Sequence, residues 1–164
     1  MNLPSYRIVN LAQVFASLLL IVIAVAYFEQ SLKLEPCYLC IIQRVFVIAI
    51  GFICALAVVH NPRRLGQRIY ATLSISMVII GTYFSSKQIW LQSLPESQVP
   101  SCGIPVNNLF DFFSFSEAIA MLLQGDGNCA EIKWQLMGLS MPGWVLVSFM
   151  GFGALGLVQF LRKS

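Results

Sequence analysis

The sequence predicts an all-α membrane protein, a bundle of four transmembrane helices whose outward loop carries a short helix on the membrane surface. Of its 164 residues, 58% are hydrophobic and only 10% are charged, with a mean hydropathy of +0.79. Soluble domains carry about 25% charged residues. Four apolar runs are long enough to cross a bilayer, and the charges are sorted between the two sides of these runs. These observations exclude a water-soluble globule, a disordered chain and a nucleic-acid binder.

The predicted spans are residues 11–28, 41–59, 69–86 and 144–161, each of 18 or 19 residues. About 20 residues at a rise of 1.5 Å cross a hydrocarbon core of roughly 30 Å. Because a helix satisfies its own backbone hydrogen bonds in lipid, each run is expected to be helical. We find no internal repeat or second domain, so residues 1–164 are interpreted as a single membrane domain.

The first run imitates a secretory signal peptide, since Arg7 precedes it and Ala24-Val25-Ala26 lies near its end. The apolar run nevertheless continues through Phe28. We therefore expect it to remain as a transmembrane span.

The basic residues give the orientation. Six of them, with no acids, lie on one side of the spans: Arg7, Arg63, Arg64, Arg68, Arg162 and Lys163. All seven acids fall in the other two loops, residues 29–40 and 87–143. The positive-inside rule then places both termini and the 60–68 loop in the cytoplasm, with the two acidic loops facing out.

Four of the five cysteines lie in the outward loops, Cys37 and Cys40 in the first and Cys102 and Cys129 in the second. Disulfides persist on the outer side of a cell membrane. Four cysteines allow three pairings, and the sequence alone does not choose among them. The C-x-x-C spacing of Cys37 and Cys40 is nevertheless typical of a reducible pair that takes part in thiol exchange. Cys54, inside the second span, is interpreted as a small buried hydrophobe.

The context of the C-x-x-C motif favours a thiolate. Pro36 suits a helix start, and a helix beginning near Cys40 directs the positive end of its dipole at that sulfur. Arg44 lies one turn later on the same face and brings a permanent cation close to the thiol. The alternative is an arginine that only anchors the helix end in the interface.

The second outward loop combines turns with an apolar run. Cys102 lies in the proline-bracketed segment 99–105 and Cys129 follows the turn 125–128. The run between them contains Ser114-x-x-Glu117, a capping-box pattern, and predicts a helix lying on the membrane surface. A bond between Cys102 and Cys129 would restrain this loop, and a purely structural disulfide is the alternative for such a pair.

Metal and nucleotide sites are not expected. A zinc or iron–sulfur site needs a second close pair of ligands, and the single histidine, His60, falls on the opposite side of the membrane. The G-x-G-x-x-G match at residues 151–156 lies in an apolar span with no preceding strand. Small residues in that position let helices pack closely.

Two dithiol pairs at one membrane face suggest a relay, because a thiolate that attacks a disulfide leaves a new dithiol behind. An exposed pair could take electrons from a soluble partner and pass them to the pair at the membrane edge. A lipid-soluble acceptor such as a quinone would then complete the path. Two alternatives stay open: transfer in the reducing direction, for which Cys54 lacks a partner in the span, and an accessory protein with two inert disulfides.

Two segments resemble bacterial disulfide bond formation protein B. Residues 35–44 match its P-C-x-L-C-x-x-x-R pattern through Cys37, Cys40 and Arg44. Residues 127–144, which contain Gly127-Asn128-Cys129-Ala130-Glu131 and Met141-Pro142, match its second cysteine loop. The resemblance covers nearly the whole chain and implies a quinone-dependent thiol oxidoreductase of the bacterial inner membrane. Such a protein re-oxidises a periplasmic thioredoxin-fold dithiol oxidase of the DsbA type.

The resemblance also implies roles for individual residues. Cys102 would form the mixed disulfide with the partner, and Cys129 would resolve it through a bond to Cys37. Cys40 would become the thiolate facing ubiquinone or menaquinone, and Arg44 would stabilise the charge there. Gln88 stands where relatives often carry histidine; its amide can hydrogen-bond a quinone carbonyl but cannot take up a proton as imidazole can.

Overall fold

A computed structural model describes residues 5–162 of the chain, and within this part four helices are long and apolar enough to cross a membrane. Their bounds are α1, Tyr6–Val22, which continues as a π-helix at Ile23–Ser31; α2, Tyr38–His60; α3, Arg64–Gln92; and α6, Met141–Leu161. The predicted all-α fold with four spans is confirmed. Lys163, assigned above to the basic C-terminal tail, lies outside the described residues.

The helices extend beyond the predicted apolar runs. The third span was predicted at 69–86, but α3 includes Arg68, Lys87 and Gln88. Hydropathy marks the segment that lipid can cover, whereas backbone hydrogen bonding continues the helix into polar residues at both ends. The start of α2 is also earlier than the expected position near Cys40, because Cys37 is its N-cap. Both sulfurs therefore belong to the first turn of one helix.

The π-helix after α1 was not predicted. Its wider turns hold Phe28 and Glu29, and the Ser31 hydroxyl closes it by donating to the Ala26 carbonyl at 2.9 Å. A π-helix is rare, and its insertions occur frequently at functional sites because they redirect the side chains that follow. Nothing in the apolar pattern of this run distinguishes it from an α-helix.

The bundle packs in sequence order, with α1 along α2, α2 along α3 and α3 along α6, while α1 and α6 touch only sparsely. Small residues allow the close contacts. Gly81 of α3 faces the fully buried ring of Phe149, and Gly153 and Gly156 of α6 face Val78 and Ile75 of α3. The last two glycines of the G-x-G-x-x-G match at residues 151–156 thus belong to a helix-packing surface.

The outer loop contains two short helices where one was expected. They are α4, Val106–Phe112, and α5, Phe115–Gln124. The predicted capping box is present, since the Glu117 carboxylate accepts hydrogen bonds from the backbone N–H and the hydroxyl of Ser114. It starts a new helix and thereby divides the run. Ala118 and Leu122 of α5 are buried in a cluster with Tyr38 and Leu39 at the start of α2.

A two-residue hairpin joins the outer loop to α6. Its strands are β1, Gln135–Leu136, and β2, Leu139–Ser140, which pair antiparallel. Met137 and Gly138 both have positive φ, the conformation that a tight I′ hairpin turn requires. The Ser140 hydroxyl donates to the side-chain oxygen of Gln92 at 2.7 Å, so the hairpin is tied to the end of α3.

Replacing Gly81 with alanine should destabilise the bundle. A Cβ there would come within 2.4–2.9 Å of three atoms of the Phe149 ring. Because the ring is fully buried and cannot move aside freely, we expect a loss of about 1–3 kcal/mol in the free energy of unfolding. Gly151→Ala is the matched control, since its Cβ would meet nothing within 4 Å. Unfolding of both variants in detergent measures the difference, and equal stabilities would contradict this packing.

Candidate active site

The first cysteine pair lies at the start of α2, facing a buried amide. The Sγ atoms of Cys37 and Cys40 are 2.8 Å apart. The Nε2 group of Gln88 donates to both sulfurs, at 3.2 Å to Cys37 and 3.4 Å to Cys40. Gln43 in turn donates to Oε1 of Gln88 at 2.7 Å, which fixes the orientation of that amide. N–H groups directed at the sulfurs stabilise negative charge on them.

From the sequence, Gln88 was expected to approach a quinone. In the structure, its side chain lies between the two sulfurs and Gln43. It borders a small space of about 40 Å³ that Cys37 and Cys40 also line. Gln43 is as deeply buried as Gln88, although no role for it was predicted from the sequence. The sequence signal that could have indicated its burial is its position one turn after Leu39, on the inner face of α2.

Arg44 lies one turn beyond Cys40 and forms an ion pair with Glu29 of the π-helix. The two side chains are 20% and 28% exposed, so the pair is partly shielded from solvent. Glu29 was missed in the sequence because its pairing with Arg44 depends on how the π-helix turns. The pair neutralises a charge that would otherwise be costly at the membrane edge.

A cavity of about 250 Å³ opens beside Cys40 and Arg44. It occupies the gap between α1 and α6, where the two helices touch only sparsely. Most of its walls are apolar or aromatic, and the lining residues from α1, the π-helix and α6 include Leu20, Ile21, Ala24, Phe28, Trp144 and Val145. Trp134 also lines it and meets the Phe28 ring edge to face, with centroids 5.0 Å apart. Its polar end is formed by Gln43 and Arg44, next to the Cys40 sulfur.

The second cysteine pair is divided between surface and interior. Cys102 is exposed, whereas Cys129 is fully buried in the 3-10 turn Gly127–Cys129. This turn lies against the Cys102 segment, since a Cβ on Gly127 would be 3.2 Å from the Cys102 Sγ atom. The turn that carries Cys129 therefore contacts the Cys102 segment at Gly127.

Cys129 itself contacts the first pair. Hydrogen bonds with Cys129 and Cys40, together with burial, raise the pKa of the Cys37 thiol. Cys37 and Cys129 share one buried cluster with Tyr38 and Leu39. Cys129 is thus the sulfur that links the two pairs.

Three hydrogen bonds dock the Cys102 segment on this cluster. Tyr38 donates its hydroxyl to the Ile104 carbonyl at 2.6 Å, and the Gly103 N–H donates to the Asp126 carboxylate at 3.1 Å. The Gly127 N–H donates to the Ser101 carbonyl at 3.1 Å. Neither Tyr38 nor Asp126 was identified from the sequence, although Tyr38 follows Cys37 directly and Asp126 lies three residues before Cys129.

The arrangement is suited to thiol–disulfide exchange along four sulfurs, from the exposed Cys102 through Cys129 and Cys37 to Cys40 beside the cavity. Cys54 lies apart from this series, in the core of the bundle, where its thiol donates to the Gln13 side-chain oxygen at 3.3 Å. Within residues 5–162, no group of three or more His, Cys, Asp or Glu side chains is placed to hold a metal ion.

The family model and the most similar curated proteins agree on one family. The family model "Disulfide bond formation protein DsbB" matches residues 6–159. Disulfide bond formation protein B of Saccharophagus degradans is 43% identical over 163 residues, 99% of this chain and 98% of that protein. The protein of the same name from Stutzerimonas stutzeri is 39% identical over the full length of both chains. Disulfide bond formation protein B 1 of Pseudomonas aeruginosa is 36% identical over 138 residues, 84% of this chain and 85% of that protein.

The raised pKa of Cys37 predicts slow alkylation in the fully reduced protein. A raised pKa lowers the thiolate fraction at every pH below it, and each pKa unit lowers it tenfold. At pH 8, iodoacetamide should modify Cys37 at least about tenfold more slowly than the exposed Cys102, as measured by peptide mass spectrometry. Cys129→Ala removes a hydrogen-bond partner and should accelerate labelling of Cys37. Equal rates for Cys37 and Cys102 would contradict this description of the site.

Proposed function

Because the chain belongs to the DsbB family of disulfide bond formation proteins, we propose that it re-oxidises a periplasmic thioredoxin-fold dithiol oxidase of the DsbA type. The electrons pass through the two cysteine pairs to a membrane quinone. Family membership and the four apolar helices establish a disulfide-forming, multi-pass membrane protein. The electron path and its end point are the proposal.

The observation that carries the proposal is the position of Cys129. It is fully buried and contacts Cys37, and the turn that carries it lies against the Cys102 segment at Gly127. A purely structural disulfide would not require contact between Cys129 and Cys37. Contact with Cys37 as well gives a route for a disulfide to move from the outer loop to the first turn of α2.

In the first half of the reaction, the partner's thiolate attacks Cys102 in the Cys102–Cys129 disulfide. A mixed disulfide forms, and Cys129 leaves with the electron pair of the broken bond and takes a proton from water to become a thiol. Cys129 then attacks Cys37 in the Cys37–Cys40 disulfide. The Cys37–Cys129 bond forms and Cys40 is released as a thiolate beside Arg44.

In the second half, the partner's remaining thiol attacks its own sulfur in the mixed disulfide, which releases the oxidised partner and leaves Cys102 reduced. Cys102 attacks Cys129, restoring the Cys102–Cys129 disulfide and leaving Cys37 and Cys40 as a dithiol. Two electrons have then moved from the partner to the pair at the membrane edge.

The cavity beside Cys40 fits a quinone. Its aromatic and aliphatic walls suit a ring with an isoprenoid tail, and its polar end lies next to the sulfur that must be oxidised. Gln43 and Arg44 would hold the carbonyl end, and ubiquinone and menaquinone both suit such a site. A bound quinone would supply the two-electron acceptor that returns the dithiol to a disulfide.

Arg44 and Gln88 have separate tasks in this scheme. Arg44 stabilises charge on Cys40 and at the polar end of the cavity, while its pairing with Glu29 holds the guanidinium there. Gln88 places its amide N–H groups on the Cys37 and Cys40 sulfurs and so supports a thiolate without exchanging a proton. Where relatives often carry histidine, this chain must take protons for the acceptor from another group.

The distribution of charge supports an inner-membrane orientation with both termini and the Arg63–Arg64 turn in the cytoplasm. The bundle brings the start of α1, the 61–63 turn and the end of α6 to one end. The cysteine loops lie at the opposite end, where we place the periplasm.

Cys40→Ser should abolish quinone reduction by the purified protein supplied with a reduced DsbA-type partner. Serine cannot form the disulfide that the acceptor must regenerate, so turnover should fall to the rate measured without protein. Cys54→Ser is the matched control, because it makes the same substitution at a buried cysteine outside the four-sulfur series. The loss of quinone absorbance measures both variants.

Turnover that survives in Cys40→Ser would contradict the assignment of Cys40 as the terminal sulfur. Equal loss in Cys54→Ser would trace the effect to the fold of the bundle.

A further inference from the structure

A buried carboxylate contacts the sulfur that links the two pairs. Asp126 is 4% exposed, and its Oδ1 atom accepts a hydrogen bond from the Cys129 thiol at 3.2 Å. Its Oδ2 atom accepts from the Gly103 N–H at 3.1 Å and from Nδ2 of Asn128 at 2.7 Å. One oxygen is therefore held by two structural donors while the other is directed at sulfur.

Hydrogen bonds compensate the burial of this carboxylate, but no cation pairs with it among the described residues. Burying a carboxylate without a cation is costly, and such groups are concentrated at functional sites. Its direct contact with a reacting sulfur is a functional reason for burying this carboxylate.

We propose that Asp126 is the general base that takes the proton from Cys129 as Cys129 attacks Cys37, an inference that rests on the function proposed above. The Cys129 S–H bond and the Cys37–Cys40 bond break while the Cys37–Cys129 bond forms. The proton passes to Oδ1 of Asp126, and Cys40 leaves with the electron pair as a thiolate. The charge on the carboxylate is thereby transferred to Cys40, near Arg44.

The same carboxylate also docks the Cys102 segment through Gly103, so a test must separate proton transfer from docking. The ionisable groups around it are Cys37, Cys40 and Tyr38 of α2, Cys102 beside the turn, and Glu35 and Lys133 across the adjoining cleft. Lys87 of α3 is directed elsewhere, to the Leu123 carbonyl at 3.0 Å.

The experiment follows a single exchange step without quinone. Full-length Cys102→Ala protein in detergent is prepared with Cys37 and Cys40 oxidised and Cys129 reduced, and is held at low pH. A jump to each chosen pH starts the exchange, acid stops it, and peptide mass mapping measures the fraction with a Cys37–Cys129 bond. Asp126→Asn, Asp126→Glu and Asp111→Asn are compared in this background; Asp111 is an exposed acid of α4.

In the parent, proton transfer to Asp126 replaces transfer to hydroxide, so the rate should depend on pH less steeply than in Asp126→Asn. Asp126→Asn should lower the rate about a hundredfold, the lower end of what a positioned base contributes. Its remaining rate should depend on pH more steeply than the parent rate, because hydroxide must then take the proton from Cys129. Asp126→Glu should recover most of the rate, Asp111→Asn should match the parent, and the parent should react more slowly in D₂O than in H₂O.

A uniform loss in Asp126→Asn with the parent's pH dependence would overturn the proposal and leave Asp126 a docking residue. So would equal losses in Asp126→Glu and Asp126→Asn. If Asp126→Asn does not fold, the solvent comparison remains: equal rates of the parent in H₂O and in D₂O would overturn the proposal. A parent in which no Cys37–Cys129 bond forms at any pH would instead refute the relay itself.

Discussion

The proposed electron transfer depends on one buried sulfur, that of Cys129, which contacts Cys37 and belongs to a turn that lies against the Cys102 segment. A sulfur that exchanges with both Cys102 and Cys37 must lie within reach of each, yet must be sheltered from soluble thiols. Burial of the Gly127–Cys129 turn against the start of α2 meets both requirements. The hydrogen bonds from Tyr38 and to Asp126 then bring the exposed Cys102 segment to the turn. These hydrogen bonds and the packing of α5 on the start of α2 fold the outer loop onto the bundle.

The helix bundle forms the cavity beside Cys40 because α1 and α6 do not pack closely. Tight packing of α3 against α6 at Gly81, Gly153 and Gly156 contrasts with the sparse contact of α1 and α6. The cavity occupies that gap, and the π-helix borders it with Phe28 and places Glu29 on Arg44. The positive charge is therefore already positioned where the proposed mechanism generates a thiolate, so little reorganisation is needed as charge develops.

Features set by local spacing could be predicted from the sequence, and features set by docking could not. The four spans, the pairing of Arg44 with the C-x-x-C turn and the capping box of α5 each depend on residues within one or two turns. The contact of Cys129 with Cys37 and the Asp126 bond to Gly103 join loops that are distant in the chain. Glu29 was missed because the π-helix redirects its side chain. The division of α4 from α5 was missed because the apolar run continues through the break between them.

The most direct test of this account is to mix the oxidised protein with a reduced DsbA-type partner, quench the mixture in acid within the first turnover, and map every disulfide. Transfer through Cys129 should give a partner joined to Cys102, together with a Cys37–Cys129 bond and a free Cys40. A Cys102–Cys129 bond that stays intact while the partner is oxidised, or a partner joined directly to Cys37, would contradict the transfer of electrons through Cys129.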